Sequence, residues 1–223
     1  MRESKVFNIS NLDYLREIPD KFFDLVVDDP PYGLGDRLSD GGGKLKNTPM
    51  AKLYRESSGW DVLPSKQYFE QVFRVSKNQI FCGANYFMEY LPSSRGIICW
   101  DKKQFMPTLS SWEFLWTSFD KTAKTFTGSS TDLNRFHPTQ KPVSLYDWLY
   151  KTYLPNGGKV FDGHLGSGSN RIAAYKAGNI DFYACEIDKG YFEESDRRFN
   201  NFVSVHSPAS ENPITFEGQH KLF

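Results

Sequence analysis

Short apolar runs alternate with amphipathic stretches along almost the whole chain. "KVFNIS" (5–10), "FFDLVVDD" (22–29), "QIFCGANYF" (79–87), "GIICWDKK" (96–103), "EFLWTSF" (113–119), "GKVFD" (158–162) and "IDFYACEID" (180–188) read as strands. "LDYLREIP" (12–19) reads as a short helix, and residues 66–77 as another with Phe69, Val72 and Phe73 on one face. A third, 143–153, carries Leu145, Trp148 and Leu149 at helical spacing; a fourth follows Asp162 and ends at Gly178; the last spans 190–203 with Phe192, Phe199 and Phe202 on one side. Strands alternating with helices predict an α/β fold, a doubly wound and mostly parallel sheet of Rossmann type. The loop between "GIICWDKK" and "EFLWTSF" is too short for a crossover helix, so one strand near the edge is expected to run antiparallel.

Two segments break the pattern. Residues 33–59 are polar and glycine-rich with neither period, as expected of a mobile, functional loop. The stretch from Ser204 to Phe223 is polar and interrupted by proline, which predicts a flexible tail after a single domain over 1–203. With 39% hydrophobic residues over 223 positions the chain can bury a full core, and no apolar run is long enough for a membrane span. "MRESKVFNIS" lacks the apolar centre of a secretory signal. Cys82, Cys99 and Cys185 form no CxxC pair, and the four histidines are scattered, so the expectation is a cytoplasmic protein without a structural metal.

Net charge is zero but unevenly placed. Residues 101–141 carry six basic against four acidic side chains, +2; residues 181–217 carry three against eight, −5. Such a distribution permits a nucleic-acid partner without requiring one.

Two strand ends carry the candidate chemistry, because ligands of open α/β sheets bind beyond the carboxyl ends of strands. In "GKVFDGHLGSGSNRIAA" a strand stops at Asp162, and a turn with Gly166, Ser167, Gly168 and Ser169 leads into a helix. Glycines let the backbone approach a ligand, and the helix start offers N–H donors. The next strand stops at Glu186, 24 residues beyond Asp162, where a carboxylate can accept bonds from ribose hydroxyls. No GK[ST] follows, which argues against a P-loop. The second strand end is "FDLVVDDPPYG": Asp28, Asp29, Pro30, Pro31 and Tyr32 after an apolar run. A carboxylate, a proline carbonyl held by a fixed φ and an aromatic ring together suit an exocyclic amine on a flat heterocycle; the same residues also suit a plain turn.

"DPPY" after a hydrophobic strand resembles the catalytic motif of the DNA amino-methyltransferases, which use S-adenosylmethionine to methylate the 6-amino group of adenine or the 4-amino group of cytosine. "FDGHLGSGS" is similar to their first motif, "ACEID" to their second, and "HPTQKP" (His137 to Pro142) to the segment before the first cofactor-side helix. The catalytic motif comes first, the permuted order of the β class, and the match runs to about residue 203. The resemblance implies that Asp29 and the Pro30 carbonyl bind the target amine and that Tyr32 stacks on the base, with Pro31 part of the same catalytic motif. It implies a cofactor site of Asp29, Thr139, Lys141, Asp162, Gly166, Ser167, Gly168, Ser169 and Glu186, with Ser10 and Asn11 where the family often has an acid. Gly163 and His164 depart from the family's proline and phenylalanine.

The acid-first motif favours adenine; a cytosine 4-amino enzyme and a non-catalytic module that binds cofactor and DNA are the alternatives. A duplex target must be flipped out of its stack to reach such a pocket. Residues from about 103 to 136 leave room for a small recognition region only, with Lys102, Lys103, Lys121, Lys124 and Arg135 as candidate phosphate contacts. Arg37, Lys44, Lys46, Lys52 and Arg55 put positive charge on the long loop. A second protomer is a candidate source of further contacts. Gln219, Leu222 and Phe223 form a Q-x-x-L-F ending that resembles peptides docking on bacterial sliding clamps.

Overall fold

The computed structural model describes residues 3–34, 61–104, 110–130 and 135–206. Eight strands form one sheet: β1 (Glu3–Phe7), β2 (Phe23–Asp28), β3 (Ser76–Cys82), β4 (Ile97–Asp101), β5 (Trp112–Thr117), β6 (Lys124–Thr127), β7 (Gly158–Asp162) and β8 (Ile180–Cys185). Their order is β1-β8-β7-β2-β3-β5-β4-β6. β5 alone runs against the rest, pairing antiparallel with β3 and β4, so the expected single antiparallel strand lies third from the edge.

Among the described residues five helices cover the sheet: α1 (Asn11–Arg16), α2 (Lys66–Val75), α3 (Val143–Tyr153), α4 (Ser169–Ala177) and α5 (Lys189–His206). Successive side chains of a strand point to opposite faces, and the core divides accordingly. Phe23, Val26, Phe81 and Phe161 pack with Leu15, Phe69 and Val72 of α1 and α2. Leu25, Val27, Ile80 and Val160 pack with Leu145, Leu149, Ala173 and Ala174 of α3 and α4. Leu25, Val26 and Val27 are fully buried, each worth about 1.5–3 kcal/mol, which anchors the strand that ends in the candidate motif.

Three details differ from the sequence reading. The strand expected over 79–87 stops at Cys82, because Gly83 turns the chain at φ +63 into 3-10 turns at Ala84–Tyr86 and Met88–Tyr90. The helix expected to reach residue 77 ends at Val75, and β3 starts at once at Ser76. β6, four residues with no buried position, pairs parallel to β4 inside the stretch read as recognition loop.

The topology fixes the functional end. From β7 the chain steps through α4 to β8 on one side; from β2 it steps through α2 to β3 on the other. The winding therefore reverses at the β7/β2 seam, where Leu25 faces Val160 and Val26 faces Phe161. Crevices form at such reversals, beyond the carboxyl ends of the strands.

Candidate functional site

A cleft of roughly 850 Å3, open solvent included, lies over that seam. Its walls include Asp29, Pro30, Pro31 and Tyr32 at one end and Gly166, Ser167, Ser169, Glu186, Asp188 and Tyr191 at the other, with Thr139, Lys141 and His164 between them. Both candidate motifs thus open onto one space.

At the β8 end, the Glu186 carboxylate accepts the Gly166 N–H at 2.8 Å and the Asp188 N–H at 2.9 Å, one bond per oxygen. Each oxygen keeps acceptor capacity for a hydroxyl. Burial pushes this carboxyl up despite the two N–H groups. Gly166 (φ +50) passes close under His137: a Cβ there would stand 3.3 Å from its Nε2. Burial, helped by Lys141 and Arg135, holds His137 down to about 3, so its ring is neutral. Ile187, 73% exposed, adds an apolar wall. A turn aimed at the cleft, a carboxylate with capacity to spare and an apolar face fit the ribose and base of a nucleoside.

Not every residue expected there faces the cleft. Asp162 turns inward and accepts the His164 N–H (3.0 Å) and the Asn170 amide (2.9 Å), so it shapes the turn from behind. Gly168 (φ +72) packs against Ser195 of α5, and Ser10 precedes α1 without a side-chain capping bond. Asn11 lies beneath the turn, donating to the Gly163 carbonyl at 3.1 Å and meeting His164 Nε2 at 3.0 Å.

The two departures, Gly163 and His164, belong to one arrangement with Asp28. Fully buried, Asp28 accepts the Gly163 N–H at 3.1 Å, faces His164 Nδ1 at 3.0 Å and receives the Tyr68 hydroxyl. A proline at 163 would have no N–H for Asp28, and a Cβ there would stand 2.2 Å from the Tyr68 hydroxyl. Burial opposes a charged imidazole, but Asp28 outweighs it and raises His164 above its ordinary value; burial likewise opposes the Asp28 charge, and His164 brings that carboxyl down. His164 thus ties the end of β2 to the turn after β7 through Nδ1 and Asp28, and when neutral its Nε2 accepts from Asn11.

The other end is built from side chains. The Lys141 ammonium contacts Asp29 Oδ1, Glu113 Oε1 (3.1 Å) and the Tyr32 hydroxyl (2.9 Å). That hydroxyl lies 2.7 Å from Asp29 Oδ1 and 2.9 Å from Glu113 Oε1 and donates to one at a time. Lys102 closes the cluster at 2.8 Å from Glu113 Oε2. Burial would raise Glu113, but Lys141 and Lys102 push it down to about 2. Burial and the nearby Glu113 raise Asp29 against the pull of Lys141. Burial alone would strip Lys141 of its proton; Asp29 and Glu113 hold it charged. Asp29, Cys82 and Glu113 bring their ligand atoms within 4.8 Å of one another, and Lys141 supplies the cation for that group.

Asp61 fixes the approach to this cluster. It accepts the backbone N–H groups of Tyr32 (3.0 Å), Gly33 (3.1 Å) and Leu34 (2.6 Å). One face of the Tyr32 ring stacks on Tyr86, with centroids 4.7 Å apart, and Tyr86 is not part of the cleft wall. Among the described residues no donor reaches the Pro30 carbonyl or Asp29 Oδ2.

The expected phosphate contacts are dispersed. Lys102 is committed to Glu113, with only 17% of its side chain exposed. Arg135 turns to the carbonyls of Pro138 (3.3 Å) and Gln140 (3.1 Å) and clasps the segment leading to Lys141. Lys121 reaches the Thr152 carbonyl at the end of α3, away from the cleft, and Lys124 starts β6 beside Ile98, near the beginning of β4. Lys103 is exposed beside Asp101. Arg37, Lys44, Lys46, Lys52 and Arg55 of the long loop, and Gln219, Leu222 and Phe223 of the tail, lie outside the described residues. Asp28, Asp61, Tyr68 and Glu113 were missed as site residues. Glu113 alone left a signal, a single charge in the otherwise apolar "WEFLWT", which once buried requires a partner.

Residues 44–197 match the N6/N4 methyltransferase family described as DNA methylase; the matched stretch begins after Tyr32. Among solved structures, the M1.HpyAVI–SAM complex is similar with TM-score 0.60 and 17% identity, over 88% of this chain and 98% of that one. The PvuII DNA methyltransferase (cytosine-N4-specific) is similar with TM-score 0.63 and 12% identity, over 89% and 87%. At these identities the likeness establishes the methyltransferase fold. Comparison with curated protein sequences finds no match.

Proposed function

Because this chain belongs to the N6/N4 DNA methylase family, we propose that it transfers a methyl group from S-adenosylmethionine to the exocyclic 6-amino group of adenine in duplex DNA. The observation that carries this reading is the shared cleft: Asp29 and the Pro30 carbonyl stand at one end, the Gly166 turn and Glu186 at the other. When bound, S-adenosylmethionine supplies a methyl group activated by a sulfonium. Glu186 and the Gly166–Ser169 turn hold its nucleoside end, with Ile187 against the base, while Thr139 and Lys141 border its methionine end.

On the other side, Asp29 and the Pro30 carbonyl accept the two N–H bonds of the target amine. Accepting both localises the nitrogen lone pair, which in the free base is delocalised into the ring. The Tyr32 face turned from Tyr86 offers a stacking surface worth about 1–3 kcal/mol, which offsets part of the cost of flipping the base. Holding amine and methyl donor in line supplies much of the rate. Lys103 remains the candidate phosphate contact beside the cleft-side end of β4.

Nucleoside mass analysis of mixed-sequence duplex DNA, incubated with labelled S-adenosylmethionine, tests the reading. Methyl-6-adenine is expected. Methyl-4-cytosine would transfer the same chemistry to the other base, and no product despite cofactor binding would favour a binding module. We further propose action as a cytoplasmic restriction-modification methylase, with a second copy completing the DNA interface; among the described residues no helix is long and apolar enough to cross a membrane. The Gln219, Leu222 and Phe223 pattern supports docking on a sliding clamp, and absence of clamp binding by the intact protein would end that proposal.

A further inference from the structure

Resting on that reading, we infer that Glu113 is a positioning residue: it shares the Lys141 ammonium with Asp29 and, with the Tyr32 hydroxyl, keeps that ammonium on Oδ1, leaving Asp29 Oδ2 and its negative charge for the target amine. Asp29 faces a difficulty that the cleft itself creates. A buried ammonium touches it, and a carboxylate fully neutralised by lysine is a weak acceptor and stabilises a developing positive charge poorly.

The geometry shows how this is relieved. Lys141, 3% exposed, is shared between Asp29 Oδ1 and Glu113 Oε1, with the Tyr32 hydroxyl between the two carboxylates. Both contacts to Asp29 fall on Oδ1, so Oδ2 is the oxygen left for an amine. Lys102 on Glu113 Oε2 limits how strongly Glu113 pulls, since part of its charge is answered there. A proton relay from Asp29 through Tyr32 to Glu113 is the competing role. It is disfavoured because two ammonium groups keep Glu113 ionised, at about 2, and a poor proton acceptor. The cluster sets charge and orientation.

The test is a carboxyl titration of Asp29 by NMR in the full-length protein, combined with steady-state kinetics. In Glu113→Gln, Asp29 no longer shares the Lys141 ammonium with a second carboxylate, and its titration drops by about one pH unit. The same variant loses about a hundredfold in kcat while KM for S-adenosylmethionine stays within threefold. Lys102→Met works in the opposite direction: Glu113 pulls harder on Lys141, and the Asp29 titration rises. An Asp29 titration unmoved in either folded variant, or kcat of Glu113→Gln within threefold of the parent, overturns the inference. If Glu113→Gln does not fold, the sign of the Lys102→Met shift decides. Lack of methyl transfer by the parent protein would count against the function, while the titration would still judge the role of Glu113.

Discussion

At the cofactor end of the cleft, carboxylates hold backbone: Glu186 takes the N–H groups of Gly166 and Asp188, Asp162 that of His164, and Asp28 that of Gly163. At the base end, apart from Asp61, side chains hold side chains: Asp29, Tyr32, Lys102, Glu113 and Lys141 come from four separate parts of the chain. A site made from the path of the backbone depends on turn shape and tolerates changes in side-chain charge. A site made from coupled charges depends on every member, because removing one leaves the others buried and unbalanced. The first kind suits a ligand that is always the same; the second tunes an acceptor for one reacting atom.

The contrast predicts where the protein breaks. Asp29 apart, Tyr32→Ala should be among the most damaging changes, losing both the stacking face and the hydroxyl between Asp29 and Glu113, for about a hundredfold fall in kcat/KM in a methylation assay. Tyr32→Phe keeps the face and should lose about tenfold, which separates the two contributions. Gly163→Ala places a methyl group against the Tyr68 hydroxyl and should destabilise the fold by about 1–3 kcal/mol in urea denaturation, even though no charge changes. Glu186→Gln keeps one acceptor oxygen but turns an amide NH2 onto one of the two backbone N–H groups; cofactor affinity measured by calorimetry should weaken about tenfold or more with turnover at saturation little changed.

The smallest effect is the pH dependence of the His164–Asp28 pair. Asp28 raises the folded value of His164 above its ordinary 6.5 and His164 lowers Asp28 below its ordinary 3.8, so the pair's contribution is complete between about pH 4 and 6.5 and is lost as pH rises through the folded value of His164. The melting temperature should decline by about 2–4 °C across that rise, and His164→Phe should flatten the decline.

The cofactor end was legible in the sequence because strand, glycine turn, helix and the next strand's acid follow one another within 24 residues, Asp162 to Glu186. Asp29 and Tyr32 were legible for the same local reason, an apolar run ending in a polar cluster. The place of Glu113 beside Asp29 was not: it depends on β5 lying beside β3, a pairing between distant segments, whereas the Lys102–Glu113 contact crosses the neighbouring β4–β5 pair. Gly83 was hidden too, since the apolar run around it continues and only the Tyr32 ring closing over it requires a residue without a Cβ; one there would stand 2.2 Å from Cε1. β6 escaped because an exposed four-residue edge strand rich in lysine and threonine has no apolar alternation to betray it.

Everything turns on Asp29 as the acceptor for the target amine. The most direct test is single-turnover methyl transfer by Asp29→Asn, measured beside S-adenosylmethionine affinity in the same preparation. The isosteric amide keeps the shape and removes the charge, so the account predicts transfer slowed by about a thousandfold or more with cofactor affinity within a few-fold of the parent. Transfer within tenfold of the parent would contradict it.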